Sequence, residues 1–147
     1  MSNDSNRTEM IRKAIAMLHE GGHTLVVANG NVFRTFDRRG VADLYRLLRE
    51  EPEFLRGAVV ADKVVGKAAA ALMLLGGVAE LHTDVISGKA IELLHGSSLR
   101  YAYDLEVPHI INRTRDGWCP LETRCRDCRT AEECLTQIEA FIASRNA

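Results

Sequence analysis

The stretch that decides the fold is GAVVADKVVGKAAAALMLLG, residues 57–76. Its first five residues, 57–61, form an apolar run with no polar face, which is typical of a central strand buried on both sides of a sheet. The run passes directly into Asp62 and Lys63, and a segment rich in alanine and leucine follows. We therefore expect a buried strand that leads straight into a helix beginning at Asp62 and ending at the glycines 76–77.

Helical and strand patterns alternate around this unit. The turn signal Asn29-Gly30-Asn31 predicts an antiparallel hairpin near the N-terminus. We predict helices over residues 9–20, 41–50, 62–76, 87–95 and 131–144, strands over 24–28, 32–36, 57–61 and 78–86, and short extended segments at 99–103 and 107–112. This order favours a three-layer α/β/α fold around a mixed five-stranded sheet, mostly parallel, with one antiparallel hairpin.

The length and charge of the chain exclude several classes of protein. The 147 residues fit a single domain over residues 1–147, with a disordered start at 1–7. Nineteen basic residues meet twenty acidic ones, so no basic field points to a nucleic-acid partner. No apolar run reaches the roughly 18 residues of a membrane span, and the polar N-terminus lacks a signal peptide. We expect a cytoplasmic protein with no membrane partner.

Four cysteines lie close together near the C-terminus, in a predicted loop at 114–130 and the helix that follows. They are Cys119, Cys125, Cys128 and Cys134. In a reducing compartment such a set is typical of a metal or redox site, and four thiolates suit zinc or an iron–sulfur cluster. The alternative is that Cys119 and Cys134 are buried as small apolar residues, while Cys125 and Cys128 are loop thiols or form a chance disulfide.

Three motifs carry a resemblance to a known family. They are DKVVGKAAA at 62–70, VPHIINR at 107–113 and CPLE at 119–122. The chain resembles, over residues 20–140, a family of small bacterial and archaeal proteins of unknown function with the cytidine-deaminase-like fold. The resemblance implies that fold but no reaction. Of the cysteines it covers only Cys119, together with Glu122.

The zinc motifs of true deaminases are missing from the sequence. Those enzymes use H-x-E or C-x-E at one helix start and P-C-x-x-C at the next. Residues 39–43 and 62–66, which occupy these places in the element order, contain no histidine or cysteine. His82-Thr83-Asp84 has a similar spacing but lies within a predicted strand. We therefore expect that the protein is not a zinc-dependent deaminase.

The turn after the central strand is the predicted ligand site. Lys63 and Lys67 would lie one turn apart at a helix start, where cations oppose the helix dipole unless an anion binds there. Gly66 would cost about 1 kcal/mol inside a helix. The predicted ligand-binding residues are Asp62, Lys63, Gly66, Lys67, Asn112, Arg113 and Glu122. The alternative is that Asp62 only caps the helix and that Asn112 and Arg113 are ordinary turn and surface residues.

Three functional hypotheses follow from these features. The first is a module that binds a small anionic or nucleotide-like ligand at residues 62–67. The second is an enzyme of an unidentified group-transfer reaction that uses Lys63 or Cys119 with Asp62 or Glu122. The third is a metal or redox sensor built on the four cysteines. Apolar helix faces favour a homodimer in each case.

Overall fold

The fold is built from five strands and seven helices in the part of the chain that the computed structural model describes, residues 3–112 and 114–146. The strands are β1 (Leu25–Asn29), β2 (Val32–Phe36), β3 (Val59–Val65), β4 (Glu80–Ser87) and β5 (Arg100–Val107). The helices are α1 (Asn3–Glu20), α2 (Ala42–Glu50), α3 (Pro52–Leu55), α4 (Lys67–Gly76), α5 (Gly88–Leu94), α6 (Pro120–Cys125) and α7 (Ala131–Asn146).

The strands form one mixed sheet in the order β2-β1-β3-β4-β5. Strand β1 runs antiparallel to both β2 and β3, whereas β3, β4 and β5 are parallel. The predicted mixed five-stranded sheet with an N-terminal antiparallel hairpin is confirmed.

Helices cover both faces of the sheet. Along β1, Val26 and Ala28 pack beneath α1, against core residues such as Leu18 and Ile11. Leu25 and Val27 lie in the larger core on the opposite face, which the helices from α2 to α7 share. This alternation follows from the period of two residues along a strand and gives the three layers of the fold.

The central strand lies where the sequence predicts it, but it continues further. Val59, Val60 and Ala61 are fully buried, as expected for a strand covered on both faces. The predicted helix start at Asp62 is wrong, because β3 continues to Val65 and α4 begins only at Lys67. The β-branched pair at 64–65 extends the ladder with β4, and Gly66 then ends the strand in an extended conformation.

Other boundaries also differ from the prediction. Helix α1 begins at Asn3 rather than residue 9, since Asn, Asp and Ser favour helix starts. In place of the two predicted extended segments at 99–103 and 107–112 there is one strand, β5 (Arg100–Val107), which ends just before Pro108, a residue that has no N–H for the ladder. The predicted cysteine-rich loop contains α6, which begins with Pro120 at its first position. None of the helices in the described ranges has the length and apolarity needed to cross a membrane.

Candidate functional site

A buried carboxylate caps the helix that follows the central strand. Glu122, in α6, is only 2% exposed. Its Oε1 accepts a hydrogen bond from the N–H of Lys67 at 2.7 Å, and its Oε2 accepts one from the N–H of Ile110 at 3.0 Å. Free N–H groups and the helix dipole stabilise a negative charge at this position. We predicted that this helix end binds an anion from solution, but the carboxylate of Glu122 occupies that position instead.

Gly66 makes this close approach possible. A Cβ added at residue 66 would lie 2.9 Å from Oε1 of Glu122 and 3.1 Å from Cγ1 of Ile110. Both separations are shorter than ordinary van der Waals contact. The glycine that we placed inside a helix is thus the extended residue that lets Glu122 reach the N-terminus of α4.

The two lysines of the predicted site have different surroundings. Lys67 is 5% exposed, and its Nζ donates to the carbonyl oxygen of Arg126 at 3.2 Å and to that of Cys128. Lys63 lies in β3, where its N–H donates to the carbonyl oxygen of Thr24 at 3.2 Å. The prediction that both lysines share a face at a helix start is therefore wrong, because the chain is still extended at Lys63.

Asp62 occupies a strand position and does not cap α4. Its Oδ1 accepts a weak hydrogen bond from the N–H of Val64 at 3.3 Å. Burial raises the pKa of Asp62 to about 7, and the negative charge of Asp84 adds to the increase, while the N–H groups of Val64 and Lys63 oppose it. The group is thus poised to change protonation near neutral pH.

Asn112 stabilises a turn in the segment that follows β5. Its Nδ2 donates to Oδ1 of Asp116 at 2.8 Å, and its Oδ1 accepts hydrogen bonds from the N–H of Asp116 and the hydroxyl of Thr114, both at 3.2 Å. These contacts match the alternative that Asn112 is a turn residue. Arg113, its predicted companion, lies outside the described residues.

Three of the four cysteines come together beside Lys67. The Sγ atoms of Cys125, Cys128 and Cys134 all lie within 4.8 Å of one another. Cys125 and Cys134 are fully buried, and Cys128 is half-buried. Cys125 ends α6 and Cys134 lies in the first turns of α7, so the short connection between the two helices sets the geometry. We call these three residues the thiol cluster.

Cys119 does not join the thiol cluster in the described structure. It precedes α6 as the N-cap residue, and its N–H donates to the carbonyl oxygen of Ile110 at 2.7 Å. The sequence predicted one set of four cysteines, whereas the fold brings three of them together and leaves Cys119 at the opposite end of α6.

The three thiols differ in acidity. A hydrogen bond from Cys134 lowers the pKa of Cys125, and the positive charge of Lys67 also lowers it, although burial works in the opposite direction. The same hydrogen bond, together with burial, raises the pKa of Cys134, and burial raises that of Cys128. Cys125 is thus the thiol of the cluster that ionises first.

A small open pocket of about 240 Å³ adjoins the thiol cluster. Lys67, Arg129 and Cys128 line it on one side, and Glu92 and Leu93 of α5 complete it. The pocket brings one thiol next to two cationic side chains. Arg129 is one of the arginines that flank the cysteines in the sequence, but that it lines the same pocket as Lys67 depends on how α6 and α7 pack.

A second cluster of metal-ligating residue types lies on the face of the sheet that α1 covers. His82, Asp84 and Asp104 each offer a donor atom within 4.8 Å of the other two. His19 of α1 reaches Asp84. The sequence analysis noted His82 and Asp84 but missed Asp104 and His19. Parallel pairing of β4 with β5 would have identified Asp104, which lies two residues beyond the partner of His82. Nothing in the sequence indicates His19.

The family follows from a match over most of the chain. A family model described as "TM1506: Domain of unknown function (DUF1893)" matches residues 13–142. The chain belongs to the DUF1893 family. The DUF1893 match includes all five strands, Glu122 and the thiol cluster.

A solved DUF1893 structure supports the fold. The crystal structure of a DUF1893 family protein (TM1506) from Thermotoga maritima aligns with a TM-score of 0.83 and 24% sequence identity, covering 90% of this chain and 89% of that one. At this identity the likeness shows the fold alone. No match was found among curated proteins.

Proposed function

We propose that the protein binds a zinc ion through the thiolates of Cys125, Cys128 and Cys134. The observation that carries this proposal is the convergence of three Sγ atoms within 4.8 Å from two helices and the loop between them. In a tetrahedral zinc–thiolate site with Zn–S bonds of about 2.3 Å, the sulfur atoms lie roughly 3.8 Å apart. A small contraction of the cluster would therefore produce the coordination geometry.

The number of thiols favours zinc over an iron–sulfur cluster. Such clusters are generally held by four cysteines, whereas three come together in the described structure. Zinc accepts three protein ligands and leaves a fourth position for water or an external ligand. The half-buried Cys128, which lines the open pocket, provides the route to that position.

Lys67 balances the charge of this site. Three thiolates and Zn²⁺ together carry one negative charge, and the ammonium group of Lys67 binds the carbonyl oxygens of Arg126 and Cys128 in the adjoining loop. The main-chain N–H of the same residue binds Glu122. Lys67 therefore links the thiol cluster to the end of the central strand, and zinc binding would order the loop between α6 and α7 against the sheet.

We also propose that the protein has the cytidine-deaminase-like fold that the sequence motifs indicate. The order of strands and helices supports this part of the proposal, with the short helices α3 and α6 added. The first N–H of α4 binds the carboxylate of Glu122 from α6, and residues 62–68 contain no cysteine. The zinc proposed here would lie beside Lys67 but would be held by residues of α6, α7 and the loop between them, not by ligands at the helix starts that hold the metal in deaminases, and we expect no deaminase activity.

A small anionic ligand is the second candidate. It is favoured by the pocket that both Lys67 and Arg129 line, although Glu92 lines it as well. The N-terminus of α4 is less favourable for such a ligand than the sequence predicts, because Glu122 already accepts from its first N–H. The anion would therefore bind in the pocket beside Cys128. The group-transfer hypothesis stays a prediction.

Cobalt provides a direct test of the zinc proposal, because Co²⁺–thiolate bonds give an intense near-ultraviolet charge-transfer absorption. We expect this absorption to saturate at about one Co²⁺ per chain and to disappear when zinc is added. Cys128→Ser should abolish or strongly weaken it. The matched control is Cys119→Ser, which removes another half-buried thiol and should leave the absorption unchanged.

The outcomes separate the candidates. Absence of the thiolate absorption in the unmodified protein, or an equal loss in both variants, would contradict the zinc proposal. A protein that shows no such absorption but is stabilised by phosphate, with the effect lost in Arg129→Ala, would support the anion candidate instead.

A further inference from the structure

The sheet face beneath α1 carries a group of side chains that the thiol cluster does not involve. Helix α1 packs over β1 and β3, and its C-terminal end approaches β4. There, His82 and Asp84 of β4 come close to Asp104 of β5, and His19 of α1 forms a hydrogen bond with Asp84. Three side chains from two strands thus converge on one place, with His19 beside Asp84.

The distances between these groups resemble those between ligands of one metal ion. The donor atoms of His82, Asp84 and Asp104 all lie within 4.8 Å of one another, whereas Nε2 of His19 lies at hydrogen-bond distance from Asp84, 2.9 Å from Oδ1 and 3.0 Å from Oδ2. Nε2 of His82 lies 3.7 Å from Oδ1 of Asp104. With metal–ligand bonds of about 2.1 Å, neighbouring ligand atoms are about 3 Å apart in an octahedron and about 3.4 Å apart in a tetrahedron.

The charges also fit a divalent cation. Asp84 and Asp104 offer donor atoms within 4.8 Å of each other and of His82, so two carboxylates lie close together. Like charges at this separation are unfavourable without a positive partner. Two carboxylates with one imidazole ligand carry a charge of −2, which one divalent ion neutralises. Such a mixed nitrogen and oxygen set suits Mn²⁺, Fe²⁺ or Zn²⁺.

We propose that His82, Asp84 and Asp104 form a binding site for a divalent transition metal ion, and that the hydrogen bond from His19 holds Asp84 in place beside it. The site is separate from the thiol cluster and differs from it in chemistry, with nitrogen and oxygen donors in place of sulfur. His82 is mostly buried, with a side-chain exposure of 18%, whereas Asp104 is 64% exposed. The ion is therefore held against the sheet and keeps open coordination positions toward solvent.

Mn²⁺ is the probe, because it prefers carboxylate and imidazole ligands to thiolates. The loss of the electron paramagnetic resonance signal of free Mn²⁺ measures binding to the full chain. We expect about one Mn²⁺ per chain, and at least tenfold weaker binding in Asp104→Asn and in His82→Gln. Asp104 is exposed enough that its substitution leaves the core intact.

The matched control is His23→Gln. His23 forms a similar pair with Asp37, at 2.6 Å, but no third ligand joins that pair in the described structure. We expect this variant and Cys128→Ser to bind Mn²⁺ like the unmodified protein. No Mn²⁺ binding by the unmodified protein, or equal affinities in Asp104→Asn, His82→Gln and His23→Gln, would overturn the proposal. Cys128→Ser removes a ligand of the proposed zinc site but none of the Mn²⁺ site, so Mn²⁺ binding by this variant tests the second site independently of the zinc proposal.

Discussion

Two charged residues beside the thiol cluster, Glu122 and Lys67, are buried in this protein. They are each at most 5% exposed, and the side chain of each makes two hydrogen bonds to main-chain groups. Hydrogen bonds to charged groups contribute about 1.5–3 kcal/mol each, and a buried charge without them is strongly destabilising. The two residues therefore hold the loops around the thiol cluster in place.

Asp62 predicts a pH dependence of stability. Its folded pKa of about 7 exceeds its usual value of 3.8, so between these values the folded state keeps a proton that the unfolded state has lost. The stability that this proton provides is complete below pH 4, is lost as the pH rises to about 7 and stays lost above it. Asp62→Asn, which cannot titrate, should therefore gain melting temperature relative to the unmodified protein, more at pH 8 than at pH 5.

Thermal melts at these two pH values check this expectation. Asp116→Asn makes the same chemical change in an exposed turn, where hydrogen bonds from Thr114 and Asn112 lower the pKa. Its effect should be equal at pH 5 and pH 8, because Asp116 stays ionised throughout. If Asp62→Asn changed the melting temperature by the same amount at pH 5 and pH 8, the pKa of Asp62 would not be raised in the folded protein.

At the scale of elements, the junction between β3 and α4 depends on Gly66. In Gly66→Ala, the new methyl group would press against Glu122 and Ile110, and we expect a loss of about 1–3 kcal/mol in the free energy of unfolding. Gly88 is the matched control at the corresponding junction of β4 and α5. A Cβ there meets its nearest atom at 3.6 Å, which is ordinary contact. Denaturant titrations should show a change below about 1 kcal/mol for Gly88→Ala.

The same junction shows what the sequence can and cannot predict. The apolar run at 57–61 was sufficient to identify a central buried strand. The end of that strand was misplaced, because Asp62 and Lys63 look like a helix start, whereas the ladder with β4 overrides this local signal. If Gly66→Ala loses no more free energy of unfolding than Gly88→Ala, the close approach of Glu122 does not explain why residue 66 is a glycine.

Helix ends that depend on local side chains were predicted correctly. The helices predicted to begin at residues 87 and 131 both carry such a cap: Ser87 accepts from the N–H of Ala90 and caps α5. Thr130 accepts from the N–H of Glu133 at the start of α7, which gives half of the capping box that the pattern Thr130-x-x-Glu133 indicates. The carboxylate of Glu133 accepts from Arg129 in place of Thr130. Short-range patterns predict such contacts, because the partners are only three or four residues apart.

At the scale of the whole molecule, β5 offers an exposed sheet edge for the predicted homodimer. It carries Tyr103 and Leu105, which are 40% and 56% exposed. Antiparallel pairing of two copies about Tyr103 would place Arg100 opposite the partner's Glu106 and Tyr101 opposite the partner's Leu105. The strand is therefore complementary to itself in charge and in apolar contacts.

Sedimentation equilibrium tests this arrangement. We expect a dimer that Tyr103→Lys converts to a monomer, because two lysines would then face each other at the centre of the pairing. Val32→Lys changes an exposed residue on the opposite edge strand, β2, and should leave the dimer intact. A monomeric unmodified protein, or a dimer that survives Tyr103→Lys, would rule out pairing through β5.

The sites were harder to predict than the fold. Strand and helix periodicity lies within short segments, so the order of elements and the three layers could be derived. The thiol cluster depends on the packing of α6 against α7, the approach of Asp104 to His82 depends on the pairing of β4 with β5, and the contact of His19 with Asp84 depends on where α1 ends over the sheet. These relations join residues far apart in the chain, and no local pattern specifies them.

X-ray absorption at the zinc edge tests the central claim most directly. The sample is Asp104→Asn protein with one equivalent of zinc, so that the nitrogen and oxygen site is weakened and the thiol cluster is intact. We predict a shell of three sulfur atoms at about 2.3 Å and one lighter ligand. A shell made only of nitrogen and oxygen atoms would contradict the assignment of Cys125, Cys128 and Cys134 as the zinc site.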